Sequence, residues 1–208
     1  SEPELLTCTR QSVNISAQGT STSGSQILYS WSTNNGQIDG DPYSGSITVS
    51  EPGIYILQVT DQANGCRNNT SVEVEIDTIS PQAPLEVMEK LNCNIQSIRL
   101  FPNTAEQAHY IYLWSTTNGE INSDPNLYEI EVISGGTYFL EVTNVLNGCT
   151  NRSQVEVVED IDLPLISLAT PDQISCNQSE VEISSYGSSN GPNFNYSWST
   201  TDGNILSQ

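Results

Sequence analysis

Apolar side chains recur at every second position along most of this chain. Ile27, Tyr29 and Trp31 fall on one face of an extended segment, and Tyr110, Tyr112 and Trp114 match them, as do Phe194, Tyr196 and Trp198. Tyr55, Leu57 and Val59 form a second inward row, repeated by Tyr138, Leu140 and Val142. Val72, Val74 and Ile76 alternate with Glu73 and Glu75, the pattern of a strand with one wet face. Val13/Ile15, Ile98/Leu100 and Val181/Ile183 add a further inward pair each time. No window carries the i, i+3, i+4, i+7 spacing of an amphipathic helix, so the pattern predicts an all-β protein.

These rows are written more than once. "YSWSTNNGQI" from Tyr29 returns as "YLWSTTNGEI" from Tyr112 and "YSWSTTDGNI" from Tyr196, with the tryptophans at steps of 83 and 84 residues. "PGIYILQVTDQANGC" ending at Cys66 returns as "GGTYFLEVTNVLNGC" ending at Cys149. A period above eighty is too long for a solenoid repeat and sits at the small end of the domain range. The chain therefore reads as repeat 1 over 1–79, repeat 2 over 80–162 and the opening part of a repeat 3 over 163–208. With six or seven short strands per copy, tandem Greek-key, immunoglobulin-like β-sandwiches arranged as beads on a string are expected. Tyr29, Trp31, Tyr112, Trp114, Tyr196 and Trp198 are the expected core aromatics. Asn35-Gly36, Asn118-Gly119 and Asp202-Gly203 read as type I′ hairpin turns after the tryptophan strand, and Asn64-Gly65 and Asn147-Gly148 as the same device before the second cysteine.

Charge narrows the function. Twenty-five acidic residues face five Lys plus Arg, a net charge of −20 that repels phosphate backbones and anionic lipid. No apolar run is long enough to span a bilayer, so membrane insertion by this segment is not expected; Ser1 opens straight into a repeat, and the processing signals are expected outside this stretch. His109 and Lys90 are each the only residue of their kind and recur in no other copy. Without a nucleophile–base pair, a phosphate-cradling loop or an HExxH motif, the sequence points away from an enzyme. Asp77, Glu159, Asp160 and Asp162 crowd the junctions, where carboxylates offer hard ligands for Ca²⁺; no other cofactor is suggested. Tyr43 and Tyr186 lie outside the strand pattern and are the candidates for exposed aromatic contacts. The segment before the tryptophan strand, "QGTSTSGSQ", "PNTAEQAH" or "SYGSSNGPN", varies on a constant scaffold and is the candidate binding loop for glycans or proteins.

Five cysteines stand at 8, 66, 93, 149 and 176. Pairing within copies, Cys8 with Cys66 and Cys93 with Cys149, gives each small core its own staple, of about 4 kcal/mol in the chain-entropy model. Cys176 then waits for a partner beyond Gln208. Bridges across the junctions, Cys66 to Cys93 and Cys149 to Cys176, satisfy the same count. Either scheme implies an oxidising, extracellular compartment. The third copy breaks off after its Asp-Gly turn, which reads as an excerpt from a longer repetitive protein.

Taken together, "LTC…SVNI…YSWSTNNGQI…PGIYILQVTDQANGC…SVEVEID…P" resembles the immunoglobulin-like, PKD-related repeats of giant Bacteroidota surface proteins, gliding-motility adhesins among them. That resemblance covers the whole chain and implies a secreted, surface-anchored adhesin or filament, exported through a C-terminal signal outside this sequence. Its partners would be other repeats of the same chain, copies of itself in a filament, and surface glycans or proteins. Asp77-Thr78-Ile79 also resembles the O-glycosylation site of that phylum. The turn Thr33-Asn34-Asn35-Gly36 departs from the acidic-glycine signature of PKD domains, which places these repeats beside that family.

Overall fold

The computed structural model describes residues 4–17 and 27–206, so the variable loop of repeat 1 at 18–26 lies outside the described residues. The chain divides into two compact units, Ser1–Asp160 and Ile161–Gln208.

The first unit is β throughout and has two separate cores. In the first copy β1 (Leu6–Thr7), β2 (Val13–Ser16), β3 (Ile27–Thr33), β4 (Ile38–Asp39), β5 (Ser46–Val49), β6 (Gly53–Asp61), β7 (Arg67–Val74) and β8 (Ile76–Asp77) follow in order. They form two antiparallel three-stranded sheets, β2-β5-β4 and β3-β6-β7. Val13, Ile15, Ile47 and Val49 from one sheet meet Trp31, Tyr55, Leu57 and Val74 from the other in a single cluster. Alternation along each strand puts these residues on the inner face, as the period-two reading requires. The chain crosses between sheets after β2, after β3 and after β5, which is the immunoglobulin connectivity. β1 pairs parallel with β8, through Leu6↔Ile76 and Thr7↔Asp77.

The second copy repeats this plan with β9 (Leu91–Asn92), β10 (Ile98–Leu100), β11 (Tyr110–Thr116), β12 (Ile130–Val132), β13 (Gly136–Asn144), β14 (Thr150–Val157) and β15 (Glu159–Asp160). Its sheets are β11-β13-β14 and β10-β12, and the bridge Ile121↔Val132 stands where β4 stood. Its core gathers Ile98, Leu100, Ile130 and Val132 against Trp114, Tyr138, Leu140 and Val157. Trp31 and Trp114 are buried, and each indole N–H donates to a backbone carbonyl, Ser44 O at 3.0 Å and Leu127 O at 3.1 Å. Tyr112 is buried and Tyr29 half-buried against its core. Ile76, expected on the inner face, is exposed, because the chain leaves β6 at Glu75 to pair with β1.

A phenol anchors each copy. Tyr55 Oη donates to Glu51 O at 2.7 Å and accepts from Gln37 N at 3.1 Å; Tyr138 Oη donates to Ser134 O at 2.7 Å and accepts from Glu120 N at 2.9 Å. This is the tyrosine corner of immunoglobulin-like domains, at the start of the strand where those domains place it. Burial pushes the Tyr55 phenol up. Two residues on, where antibody domains carry a core cysteine, stand Leu57 and Leu140, paired across the sheet with Trp31 and Trp114. Neither core cluster contains a cysteine.

The Asn-Gly turn after the tryptophan strand is not a hairpin. β3 pairs with β6, while β4 lies in the opposite sheet, and neither Asn35 nor Gly36 has positive φ. Gly36 is glycine for room: a Cβ there would sit 2.2 Å from Tyr55 Oη, and at Gly119 2.3 Å from Tyr138 Oη. Asn35 Oδ1 accepts from Ile54 N at 3.2 Å and Asn118 Oδ1 from Thr137 N at 2.8 Å. Thr33 and Thr116 complete the set, each accepting from the glycine N–H and donating to the carbonyl of Ile54 or Thr137. The thrice-written phrase therefore fastens the tryptophan strand to the tyrosine corner.

Among the described residues of the second unit no strand forms; Ser175↔Gln178 is an isolated bridge. Tyr196 is 51% exposed and Trp198 half-buried, so neither is the core residue that the repeat predicts. Among the described residues the tryptophan strand of the complete copies pairs with β6 or β13, and residues 161–206 contain no counterpart of that strand. The purely local part of the phrase persists: Gly203 N donates to Thr200 Oγ1 at 2.8 Å.

Candidate functional site: the junction between repeats

Both cysteine schemes expected from spacing are overturned. The bridge is Cys8–Cys149, with Cα atoms 5.1 Å apart and a sequence separation of 141, while Cys66, Cys93 and Cys176 are free and exposed. Direction explains it. β1 runs parallel with β8, so Cys8 leaves the sandwich beside Asp77, at the end of the last strand. Cys66 precedes β7, at the start of that same edge. About ten extended residues at roughly 3.3 Å each put some 30 Å between them, far beyond the reach of a disulfide. The end that carries Cys8 is the end from which the second copy departs.

Onto it docks the hairpin between β13 and β14. Gly148 takes φ 70°, its N–H donates to Asn144 O at 2.7 Å, and Asn144 N donates to Cys149 O at 2.9 Å. Asn147 Oδ1 accepts from Cys149 N at 2.9 Å, and its Nδ2 donates to Asp77 Oδ1 and to Ile79 O, both at 3.0 Å. Asn151 Nδ2 donates to Pro81 O at 2.9 Å. Asn147 and Cys149 are each 1% exposed. On the receiving side Cys8 sits in a tight turn, with Thr7 N donating to Arg10 O at 2.9 Å and Arg10 N to Thr7 Oγ1 at 3.0 Å. A shallow polar groove beside the bridge is lined by Thr9, Arg10, Gln11, Val145 and Leu146.

Asp77, one calcium candidate, thus spends Oδ1 on Asn147 and on Ile79 N. Asp160 lies in β15 opposite Asn92, and Asp162 is exposed. Among the described residues no three His, Cys, Asp or Glu side chains gather as a metal would require. Tyr43 and Tyr186 are 69% and 88% exposed. The variable segment of repeat 2 is held from below: Tyr128 Oη donates to the carbonyls of Pro102 and Thr104, and Asn103 N donates to Pro84 O at 2.7 Å. Neither Tyr128 nor the docking role of Asn147 is marked by periodicity; only the recurrence of "NGC" points toward the latter.

Gly148 and Gly65 separate conformation from docking. Both have positive φ, but a Cβ on Gly148 would lie 2.4 Å from Thr9 Cγ2, whereas nothing lies within 4 Å at Gly65. Gly65→Ala is expected to cost only left-handed strain, on the order of 1 kcal/mol. Gly148→Ala adds a clash with Thr9, so the Asn147 side-chain amide should exchange faster only in that variant. Equal exchange in both, measured by NMR, would remove the docking role.

No family model matches the chain, and no curated protein is significantly similar to it. Solved structures similar to it include extracellular domains 3–5 of Drosophila OTK, at 13% identity and TM-score 0.39, covering 76% of this chain and 60% of that one. Three N-terminal domains of the bacteriophage RB49 outer capsid protein Hoc match at 15% identity and TM-score 0.38, over 82% and 61% of the two chains. Murine CEACAM1b matches at 14% identity and TM-score 0.33, over 73% and 93%. This chain thus spans less than two thirds of the first of them. Likeness at these scores carries no argument about activity; the immunoglobulin-like fold rests on strand order and the tyrosine corners.

Proposed function

We propose that the chain is a structural and adhesive segment of a secreted bacterial surface protein or extracellular filament, in which repeats 1–79 and 80–162 act as units of length. One observation carries this reading: Cys8–Cys149 ties two separate cores together at a junction where Asn147 also donates to Asp77 and Ile79. A bridge that spans copies adds nothing to either core's packing and fixes one copy against the next. That is what an array of fixed spacing needs and what an isolated binding module does not. The same bond supports an oxidising location outside the cell, and the charge of −20 keeps such arrays from sticking edge to edge. In this reading the chain has no catalytic role.

Small-angle scattering of wild type and Cys8→Ser tests it. The variant is expected to keep both cores and to give a broader distance distribution with a larger radius of gyration. Superimposable profiles would mean that the bridge does not set the spacing of the copies. A second reading, ligand capture by the segment 102–108, is favoured by the way Tyr128 holds that loop fixed. A glycan array probed with wild type and with the loop replaced decides it: signal lost on replacement supports capture, and no signal in either removes it.

A further inference from the structure

The buried amide at the junction belongs to an Asn-Gly pair, a dipeptide prone to chemical change of its own. In such a pair the glycine nitrogen attacks the asparagine Cγ, and the missing Cβ leaves that approach unhindered. Docking opposes the reaction at Asn147. Its Nδ2 donates to Asp77 Oδ1 and Ile79 O, both at 3.0 Å, and its Oδ1 accepts from Cys149 N at 2.9 Å. Turning Cγ onto Gly148 N breaks all three bonds, and that nitrogen's proton is already given to Asn144 O at 2.7 Å. At 1% exposure Asn147 is also shut off from water. Asn64-Gly65 is the matched reference in the same chain. Gly65 takes φ 73° against 70°, Gly65 N donates to Asp61 O at 2.7 Å and Cys66 N to Asn64 Oδ1 at 2.8 Å, yet Asn64 is exposed.

The way in is the bridge, whose Cys8 is exposed while Cys149 is buried. We propose that Asn147-Gly148 is a latent modification site, intact while Cys8–Cys149 holds the repeat docked and converted to aspartate or isoaspartate once a small thiol reduces the bridge, a regulation that rests on the array reading above. The thiolate attacks Cys8 Sγ and Cys149 leaves as thiolate; a second thiol then displaces Cys8 from the mixed disulfide. Two thiols become one small disulfide, and both cysteines are reduced. In the freed hairpin the bond from Gly148 N to Asn147 Cγ forms and the Cγ–Nδ2 bond breaks. Nδ2 leaves as ammonia, carrying the proton of Gly148 N. Water then opens the succinimide, at Cγ to give aspartate or at the main-chain carbonyl to give isoaspartate. Either product sets a carboxylate where Asn147 donated to Asp77, and two carboxylates in a buried contact repel. Release is therefore one-way: a junction that has been reduced and has aged does not close again.

The test uses the full chain with Cys66→Ser, Cys93→Ser and Cys176→Ser, so that only the bridge answers to reductant. Peptide mass spectrometry follows conversion at Asn147 and at Asn64 in mildly alkaline buffer, with and without dithiothreitol. In the oxidised protein Asn147 is expected to convert at least tenfold more slowly than Asn64; in the reduced protein the two rates should come within threefold. Equal rates in the oxidised protein, or a tenfold gap that survives reduction, would overturn the proposal. Closure is read separately in a glutathione redox buffer. Asn147→Asp should form Cys8–Cys149 with an equilibrium constant at least tenfold below its parent, and adding Asp77→Asn, which returns a donor to the pair, should recover most of that loss. Neither residue belongs to a core cluster, so calorimetry should find both repeats folded in these variants. Parental bridging by Asn147→Asp would refute the one-way step. If Cys8–Cys149 is present and Asn147 is unprotected, only this proposal falls; if the bridge is absent from the oxidised protein, the array reading falls with it.

Discussion

Trp114→Ala is expected to lower the melting transition of the second repeat steeply and leave that of the first in place. Trp114 is 2% exposed, stands opposite Leu140 and holds Leu127 O through its indole N–H. Truncating a buried tryptophan costs roughly 3–5 kcal/mol, and the stranded carbonyl adds to that. A domain of some eighty residues holds only about 4–12 kcal/mol in all, at 0.05–0.15 kcal/mol per residue, so the loss consumes much of the margin. The two cores share no residue, so the first should not feel the change. Calorimetry under reducing conditions, where the Cys8–Cys149 bridge no longer couples the copies, should show one transition shifted far down and one unmoved. Trp31→Ala should give the mirror image. A common shift of both transitions in either variant would mean that the copies fold as one body.

Much of this fold is legible in the sequence. Alternation alone placed Trp31, Leu57, Trp114 and Leu140 on inner faces, because a half-buried strand has no other way to write itself. Two misreadings share one cause. Turn statistics see a few residues at a time, and Asn35-Gly36 looks locally like a hairpin, yet its glycine is dictated by Tyr55, distant in sequence and in the facing strand. Cysteine spacing likewise carries length but no direction. That β1 runs parallel with β8, and so delivers Cys8 to the departing end of the sandwich, is a fact of topology. The one hint was the constant distance across the junctions: the linker between copies never changes length while the loop before the tryptophan does. Equal length at both junctions is what contacts such as Asn147 to Asp77 require.

The corner itself gives the second large effect. Gly119→Ala is expected to destabilise the second repeat far beyond an ordinary glycine-to-alanine change, which in a compatible backbone stabilises by a few tenths to 1 kcal/mol. Gly119 has no positive φ to lose, so strain is not the reason. The new Cβ would lie 2.3 Å from Tyr138 Oη and 2.4 Å from Cζ, and Tyr138 is fully buried with no room to retreat. Over-packing of this kind costs about 1–3 kcal/mol. Displacing the phenol also breaks its bonds to Ser134 O and Glu120 N, each net worth about 1 kcal/mol and more if left unmade. Tyr138→Phe alone forfeits those bonds without the clash. In the double variant the bonds are lost only once, so the two costs should fall short of additive by at least 0.5 kcal/mol, the range in which contacting residues couple. Chemical denaturation of the four proteins measures it. Strict additivity would show that Gly119 is there for some other reason and that the phrase repeated three times does not serve the tyrosine corner.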